Sequence, residues 1–523
     1  MTLLGITPTG GHVIPSRLAD LVRHLNSGRL TAAALVASAV LALGCVLSTP
    51  VDRDEHMHAA AARLLVDHAL YTDLVFTHPP LSAWVQAAGL AVWAGPETLL
   101  PLRLTQWVIV LGLGAVLTLV LRRVGASPLL AGLLVLLLVH TQILRGSMGL
   151  ARSHELALLL GLAPWILLPI RRDDRGRAWR LVLAGVLAAL AGTTRLTHLS
   201  LTLLAVAWPL LAPSAMADGR RDVRWTALGA VFATAVVSAC AWGPDLATLR
   251  FGLIDYHLLN ARFHEAVGLG RGLSWEGKLR DAARFYRSTD LATWSILVAT
   301  ALVLVTGWAR IWTTPRWRLG LGVVICGVLM VVVPRPIQQA YYEILLVGGM
   351  LLVAAAAAGL AGRPRRILNA LVVLGLVINI GHHLPDTVRL LTAATHPSRW
   401  PARTLHQSGR RLAGMIPGSS RPVVTTHPLY VLEAGLPLDP AFSAGEFVWR
   451  LGETIDMARR DRLTLVTAAS IDAHLAAQPP AAVIAVAAAP WDGPLSNWAR
   501  RYGWKMHPLA GGVVVWMRDQ DVR

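Results

Sequence analysis

The chain has 523 residues, a mean hydropathy of +0.53, 54% hydrophobic residues and only 15% charged ones, which excludes an ordinary soluble globule. Its apolar residues fall in blocks of roughly 20, the length that crosses a bilayer as a helix. A formal charge of +18 would suit nucleic acid, but the arginines sit in short loops between apolar blocks. They are not gathered on one polar face, so the expected partners are membrane lipids and not nucleic acid.

Residues 1–29 carry Arg17, Arg23 and Arg29 and show no small-residue cleavage site after the first apolar run, so they read as a cytoplasmic tail before an uncleaved span. Spans are predicted at 30–48, 101–121, 128–144, 150–170, 181–198, 199–213, 225–244, 291–311, 318–334, 341–360 and 367–384. The stretch 181–213 is the least regular, because Arg195 and His198 interrupt it. Arg122-Arg123, the run Arg171 to Arg180, Arg220 to Arg224, Arg310 to Arg318 and Arg363 to Arg366 then all fall on one side, as the positive-inside rule requires. This arrangement places the N-terminus inside and the loop 49–100, the loop 243–290 and the tail outside. Cys45, Cys240 and Cys326 lie within apolar runs and suggest neither a metal knuckle nor a disulfide framework.

The loop after the first span reads VDRDEHMHAAAARLLVDHALYTDLVFTHPPL from Val51 to Leu81. Charged and histidine residues at a span end are costly and mark function or a strong structural need. Between Gly243 and Asp290 the segment FGLIDYHLLNARFHEA suits a helix lying on the membrane surface, or a plain structural loop. Residues 385–523 turn polar and proline-bearing. Strand-like runs at Pro422, Ala482 and Gly512 alternate with helical segments Phe447 to Arg460 and Ile471 to Gln478, so a small α/β domain is expected there. The fold class is thus an α-helical polytopic membrane protein of about eleven spans, in three parts: a tail (1–29), a transmembrane body (30–384) and an external α/β domain (385–523).

The Asp54-Glu55 pair, the short helix behind it, the Leu-Tyr-x-Asp turn with Tyr71 and Asp73, and the Pro-Pro-Leu closing the loop together resemble the C-type membrane glycosyltransferases. The likeness is to the branch of protein mannosyltransferases and aminoarabinose transferases, which use polyprenyl-phosphate sugars. It spans roughly residues 30 to 384, and implies that the first-loop acid, here Asp54 with Glu55 beside it, is the catalytic base. Capping of the following helix is the other reading of Asp54. His58 stands where the family commonly has an aromatic residue. His78 matches a basic position before the proline pair that meets phosphate, although the prolines alone would fix the turn. Glu155, with His154, matches imperfectly a second acid that would hold a metal or orient the acceptor; pairing with Arg152 is its other reading. Arg195 resembles a basic residue that lines a polar cavity, or else snorkels to the interface. Arg335, with Tyr341 and Tyr342, matches an element close to the donor phosphate, where a guanidinium can grip phosphate oxygens bidentately.

Such a kit suffices for glycosyl transfer. A carboxylate takes the acceptor proton and cations receive the leaving phosphate, so no cofactor is required, although a divalent metal stays open. The expected enzyme is a hexosyl or pentosyl transferase in a bacterial inner membrane, acting with inversion on a lipid, a cell-envelope glycan or a protein. A lipid-linked glycan transporter or flippase is the rival, though no internal repeat of the kind transporters carry is evident. A glycan polymerase is a third reading.

Overall fold

The computed structural model describes residues 27–93, 95–168, 177–212, 219–241, 246–268, 274–288, 290–334, 338–360, 362–463 and 465–518. Among the described residues seven helices are long and apolar enough to cross a membrane, and a bent pair raises the number to eight. The shorter apolar helices His154–Leu167, Ala178–Thr194 and Leu196–Leu211 cover the remaining expected spans. The chain is therefore a polytopic α-helical membrane protein.

Helix α1 (Ser27–Ser48) leads into the first loop, which folds as α2 (Arg53–Leu64) and α3 (Leu81–Val92). The long α4 (Leu99–Val124) follows, and then α5 (Pro128–His140) and α6 (Gln142–Met148), which meet at 72°. The span expected at 128–144 is broken within its length. Thr141 is extended, and its hydroxyl accepts from the Leu144 amide at 3.3 Å, so a new helix starts inside the apolar run. Asp290 accepts from the Gln142 amide at the same break.

Next come α7 (His154–Leu162), α8 (Arg177–Thr194) and α9 (Leu199–Leu211). Between α8 and α9 the chain breaks at Arg195, as the irregular stretch 181–213 suggested, and passes through a single 3₁₀ turn at Leu196–His198. Helix α10 (Gly219–Ala241) packs on α8 backbone to backbone: a Cβ on Gly185 would strike the Thr226 carbonyl, and one on Gly229 the Val182 carbonyl. The segment expected as a long loop is largely helical, with a π turn at Phe251–Asp255, α11 (Tyr256–Ala266) and α12 (Trp275–Ser288). Four spans close the body: α13 (Leu291–Thr313), α14 (Pro315–Val332), α15 (Glu343–Gly359) and α16 (Gly362–Ala394). The last runs ten residues beyond the expected end at 384, straight through Pro385.

After α17 (Pro401–Met415) the chain builds a four-stranded sheet in the order β1-β2-β4-β3. Strand β1 (Val423–Thr425) is parallel to β2 (Ala482–Val486); β4 (Val513–Met517) runs antiparallel to β2 and to β3 (Lys505–Pro508). Helices α18 (Pro428–Glu433), α19 (Ile471–Ala477) and α20 (Gly493–Arg501) accompany it, whereas the helix expected over 447–460 is broken into the short pieces Glu446–Trp449, Gly452–Thr454 and Met457–Arg462. This unit sits on the first loop. The Glu433 carboxylate accepts from the Thr98 and Leu99 amides at 3.0 and 2.6 Å and so caps α4, while its other oxygen faces His406 at 2.8 Å. The Leu429 amide donates to His56 Nδ1 at 3.2 Å, and Arg450 reaches Asn260 of α11 at 2.8 Å.

Candidate active site

Helix α2 starts where it does because of a reciprocal cap. The Asp52 side chain accepts from the Asp54 amide at 2.8 Å, and Glu55 reaches back to the Asp52 amide at 3.1 Å. The cap is Asp52, so the capping alternative for Asp54 falls away. Asp54 instead faces Arg152, whose two terminal nitrogens lie 3.4 Å from Asp54 and 2.6 Å from Asp52.

Glu55 turns the other way and is completely buried. Arg103, equally buried, holds it by two parallel bonds of 2.8 and 2.7 Å, and the Ala151 amide donates to it at 2.9 Å. The remaining guanidinium hydrogens of Arg103 serve the carbonyls of Val46, Thr49 and Pro50 at 3.3, 2.6 and 3.1 Å. The sequence places Glu55 beside Asp54 without requiring both to serve, and here the two side chains diverge. Both its oxygens are taken by donors that tie α1, α2, α4 and the 150–153 loop together.

Asp54 lines a polar pocket of about 330 Å³ together with Asp52, Arg53, Ser147, Arg152, Gln338 and Gln339. A second, larger cavity of about 550 Å³ lies across the wall. Its polar end is made by His78, Arg195, His257 and Tyr341, and its walls by apolar side chains such as Leu203, Leu258 and Leu329. The two spaces share their partition: Ala340 lines one and Tyr341 the other, and Ser153, next to Arg152, accepts from Arg195 at 2.9 Å.

Arg195 is held at the α8–α9 break, buried, with its guanidinium 5.6 Å from the centre of the Tyr341 ring. His154 approaches the same ring at 6.0 Å. His58, His78 and His257 stack in a row, 5.1 and 6.1 Å apart. The row is set by its supports: Tyr71, at a φ of 63°, donates to the His78 carbonyl, and His257 Nε2 meets the Thr77 carbonyl at 3.0 Å. Burial pushes His58 down to about 3, with Asp54 pulling it up and Arg195 and Arg152 pushing it down further. Burial pulls His78 well below the usual histidine range and His257 to about 4.

Glu155 lies one layer deeper. It takes a bond from Gln106 at 2.6 Å, so the pairing with Arg152 does not form, and Arg152 serves Asp52 and Asp54 instead. Ser147, which lines the Asp54 pocket, donates to a second buried carboxyl group, Glu343, at 2.7 Å. Tyr342 is buried beside Tyr341, and Arg335 falls outside the described residues. Lys278 of α12 reaches the Val332 and Pro334 carbonyls just before that turn. Among the described residues no three His, Cys, Asp or Glu side chains cluster as a metal site would need. Sequence reasoning missed Arg103, Gln106 and His257. The first two are polar groups inside apolar runs, which is itself a signal of a buried partner.

No protein-family profile matches the chain, and no curated protein matches it in sequence. Solved structures do match in fold. The crystal structure of ArnT from Cupriavidus metallidurans bound to undecaprenyl phosphate superimposes with a TM-score of 0.54 at 15% identity, covering 94% of this chain and 98% of that one. ArnT in the apo state gives 0.54 over 96% and 98%. The apo oligosaccharyltransferase of Archaeoglobus fulgidus gives 0.52 at 11% identity over 87% of this chain and 69% of that one. The fold of this chain is that of ArnT and of the archaeal oligosaccharyltransferase.

Proposed function

We propose that the chain is a glycosyltransferase that moves a sugar from a polyprenyl-phosphate donor to an acceptor hydroxyl at the external membrane face, with inversion. The observation that carries this reading is the shared wall. A carboxylate pocket around Asp54 and an apolar cavity headed by Arg195, Tyr341 and His78 back onto each other across residues 340–341 and 152–153. An apolar cavity with one cationic end suits a polyprenyl chain ending in phosphate, and ArnT itself was solved with such a lipid bound. The acceptor oxygen forms a bond to the anomeric carbon as the bond from that carbon to the phosphate oxygen breaks. The proton goes to Asp54, and the leaving phosphate keeps the electron pair and rests against Arg195. His78 lines the apolar cavity and His58 stacks on it, both neutral because they are buried. We assign the body at 30–384 to a bacterial inner membrane, with 1–29 in the cytoplasm and 385–523 outside. The acceptor is a lipid or envelope glycan hydroxyl.

The test is complementation and reconstitution. A deletion strain missing a sugar from its envelope regains it with the wild type. It does not with Asp54→Asn or Arg195→Ala, although both variants accumulate in the membrane. Transfer by Asp54→Asn at the wild-type rate would remove Asp54 as the base and put a non-enzymatic transporter ahead.

A further inference from the structure

The π turn at Phe251–Asp255 and α11 present one side to the large cavity and another to the external domain. Along the first, Leu253, Ile254, His257 and Leu258 line the cavity. Along the second, Tyr256, Asn260 and Phe263 recur at spacings of four and three, share a face and are buried. That face meets Arg450, which follows the short helix Glu446–Trp449 of the tail. The Arg450 side chain is 3% exposed. It donates to the Asn260 side-chain carbonyl at 2.8 Å and to Glu446 at 3.4 Å, and it meets the Tyr256 hydroxyl. The rings of Phe263 and Phe447 lie against its guanidinium, their centres 5.6 and 5.2 Å away. The surroundings are otherwise apolar: Phe263, Phe447, Leu451 and Ile455 belong to one buried cluster with Tyr71 and Phe76 of the first loop.

A guanidinium in such a seam is costly to desolvate, and an apolar side chain of similar size would fill the space without that cost. What an apolar side chain lacks is direction. Apolar contacts let a helix turn or slide by small steps, whereas a planar guanidinium held between two rings bonds Asn260 in one orientation. Fixing Asn260 fixes the rotation of α11 about its own axis, and with it where His257 and Leu258 stand in the cavity. We propose that Arg450 is a positioning residue for the donor cavity: through Asn260 it sets the orientation of α11, so that the external domain completes the site for the polyprenyl phosphate. Neither Arg450 nor Asn260 lines the cavity, so the effect travels through the helix. The inference rests on the polyprenyl-phosphate reading above and gives the tail a part in it.

The experiment uses the full chain in lipid nanodiscs with undecaprenyl phosphate as the probe. Its dissociation constant is measured well below the melting temperature, and the melting temperature is measured beside it. Arg450→Lys keeps the charge and loses the planar fork, and Asn260→Ala removes the acceptor; each is expected to weaken binding about tenfold. The double variant is expected to bind no more weakly than either single one, because both break the same contact. Asn260→Asp keeps an acceptor at that place and is expected to hold the wild-type affinity. Ile455→Val trims the same apolar cluster, and is expected to lower the melting temperature while leaving affinity within about twofold. If Arg450→Lys and Asn260→Ala also melt earlier with affinity unchanged, Arg450 is structural only and the proposal is overturned. Losses that add in the double variant, or an Asn260→Asp as weak as Asn260→Ala, overturn it too. Where Arg450→Lys does not fold, the contrast between Asn260→Ala and Asn260→Asp decides alone. Failure of undecaprenyl phosphate to bind the wild type overturns the donor reading itself, and the positioning role falls with it.

Discussion

Neighbouring side chains on a helix diverge by about 100°, and α2 uses that divergence to send two adjacent carboxylates to different work. Asp54 meets the pocket, while Glu55 is locked to Arg103 with no exposure at either side chain. Removing one partner of such a buried pair strands the other charge, so Glu55→Ala is expected to cost roughly 3–5 kcal/mol. That cost appears as a large fall in the melting temperature of the purified protein. Asp54→Asn is expected to melt with the wild type while transfer falls about 10²- to 10⁴-fold. The two variants separate structure from chemistry within one dipeptide. Much of the site was legible at this scale, because Asp54, His58, His78, His154 and Arg195 are polar residues that an apolar chain tolerates only with reason. Arg103 was not. Its partner stands 48 positions earlier in the chain, a distance at which no local pattern speaks.

At the scale of elements, the apolar blocks announced the spans, and the polar Arg195 announced the break between α8 and α9. The bend at Thr141 gave no such notice, since neither proline nor glycine marks it and its second support, Asp290, arrives 148 residues later. The closest helix pair, α8 on α10, depends on Gly185 and Gly229. Gly185→Leu would force the two backbones apart and with them the Arg195 break at the end of α8. The expected outcome is a lower melting temperature together with lost donor binding, whereas the same change at Gly381, where a Cβ meets nothing within 4 Å, is expected to be silent. Thermal melting in detergent, with and without undecaprenyl phosphate, reads both. In the tail, three of the four strands were legible from their β-branched runs. The fourth, Lys505–Pro508, is a polar edge strand that exists only because β4 pairs with it.

The whole molecule carries a pH dependence set by its neutral histidines. Burial lowers His58 to about 3 and His257 to about 4, and drives His56 and His78 well below the usual range. The unfolded chain therefore binds more protons than the folded one below pH 6.5. The stability these groups contribute is complete above that value and is lost as pH falls. At pH 5 each histidine that stays neutral costs about 2 kcal/mol. A steep drop in melting temperature between pH 7 and 5 is expected, and His58→Asn makes it shallower. A curve flat across that range would contradict the neutral stack.

The cap that Glu433 places on α4 also fixes an order of manufacture. The second long span of the body emerges early in synthesis, yet the carboxylate that satisfies its first amides is added more than three hundred residues later. Until the tail has docked, the start of α4 next to the Asp54 loop stays uncapped. A chain cut after α16, at residue 394, would thus insert its spans and still lack a settled site. Docking of the tail is the step that completes α4, and it waits until residue 433 has been made.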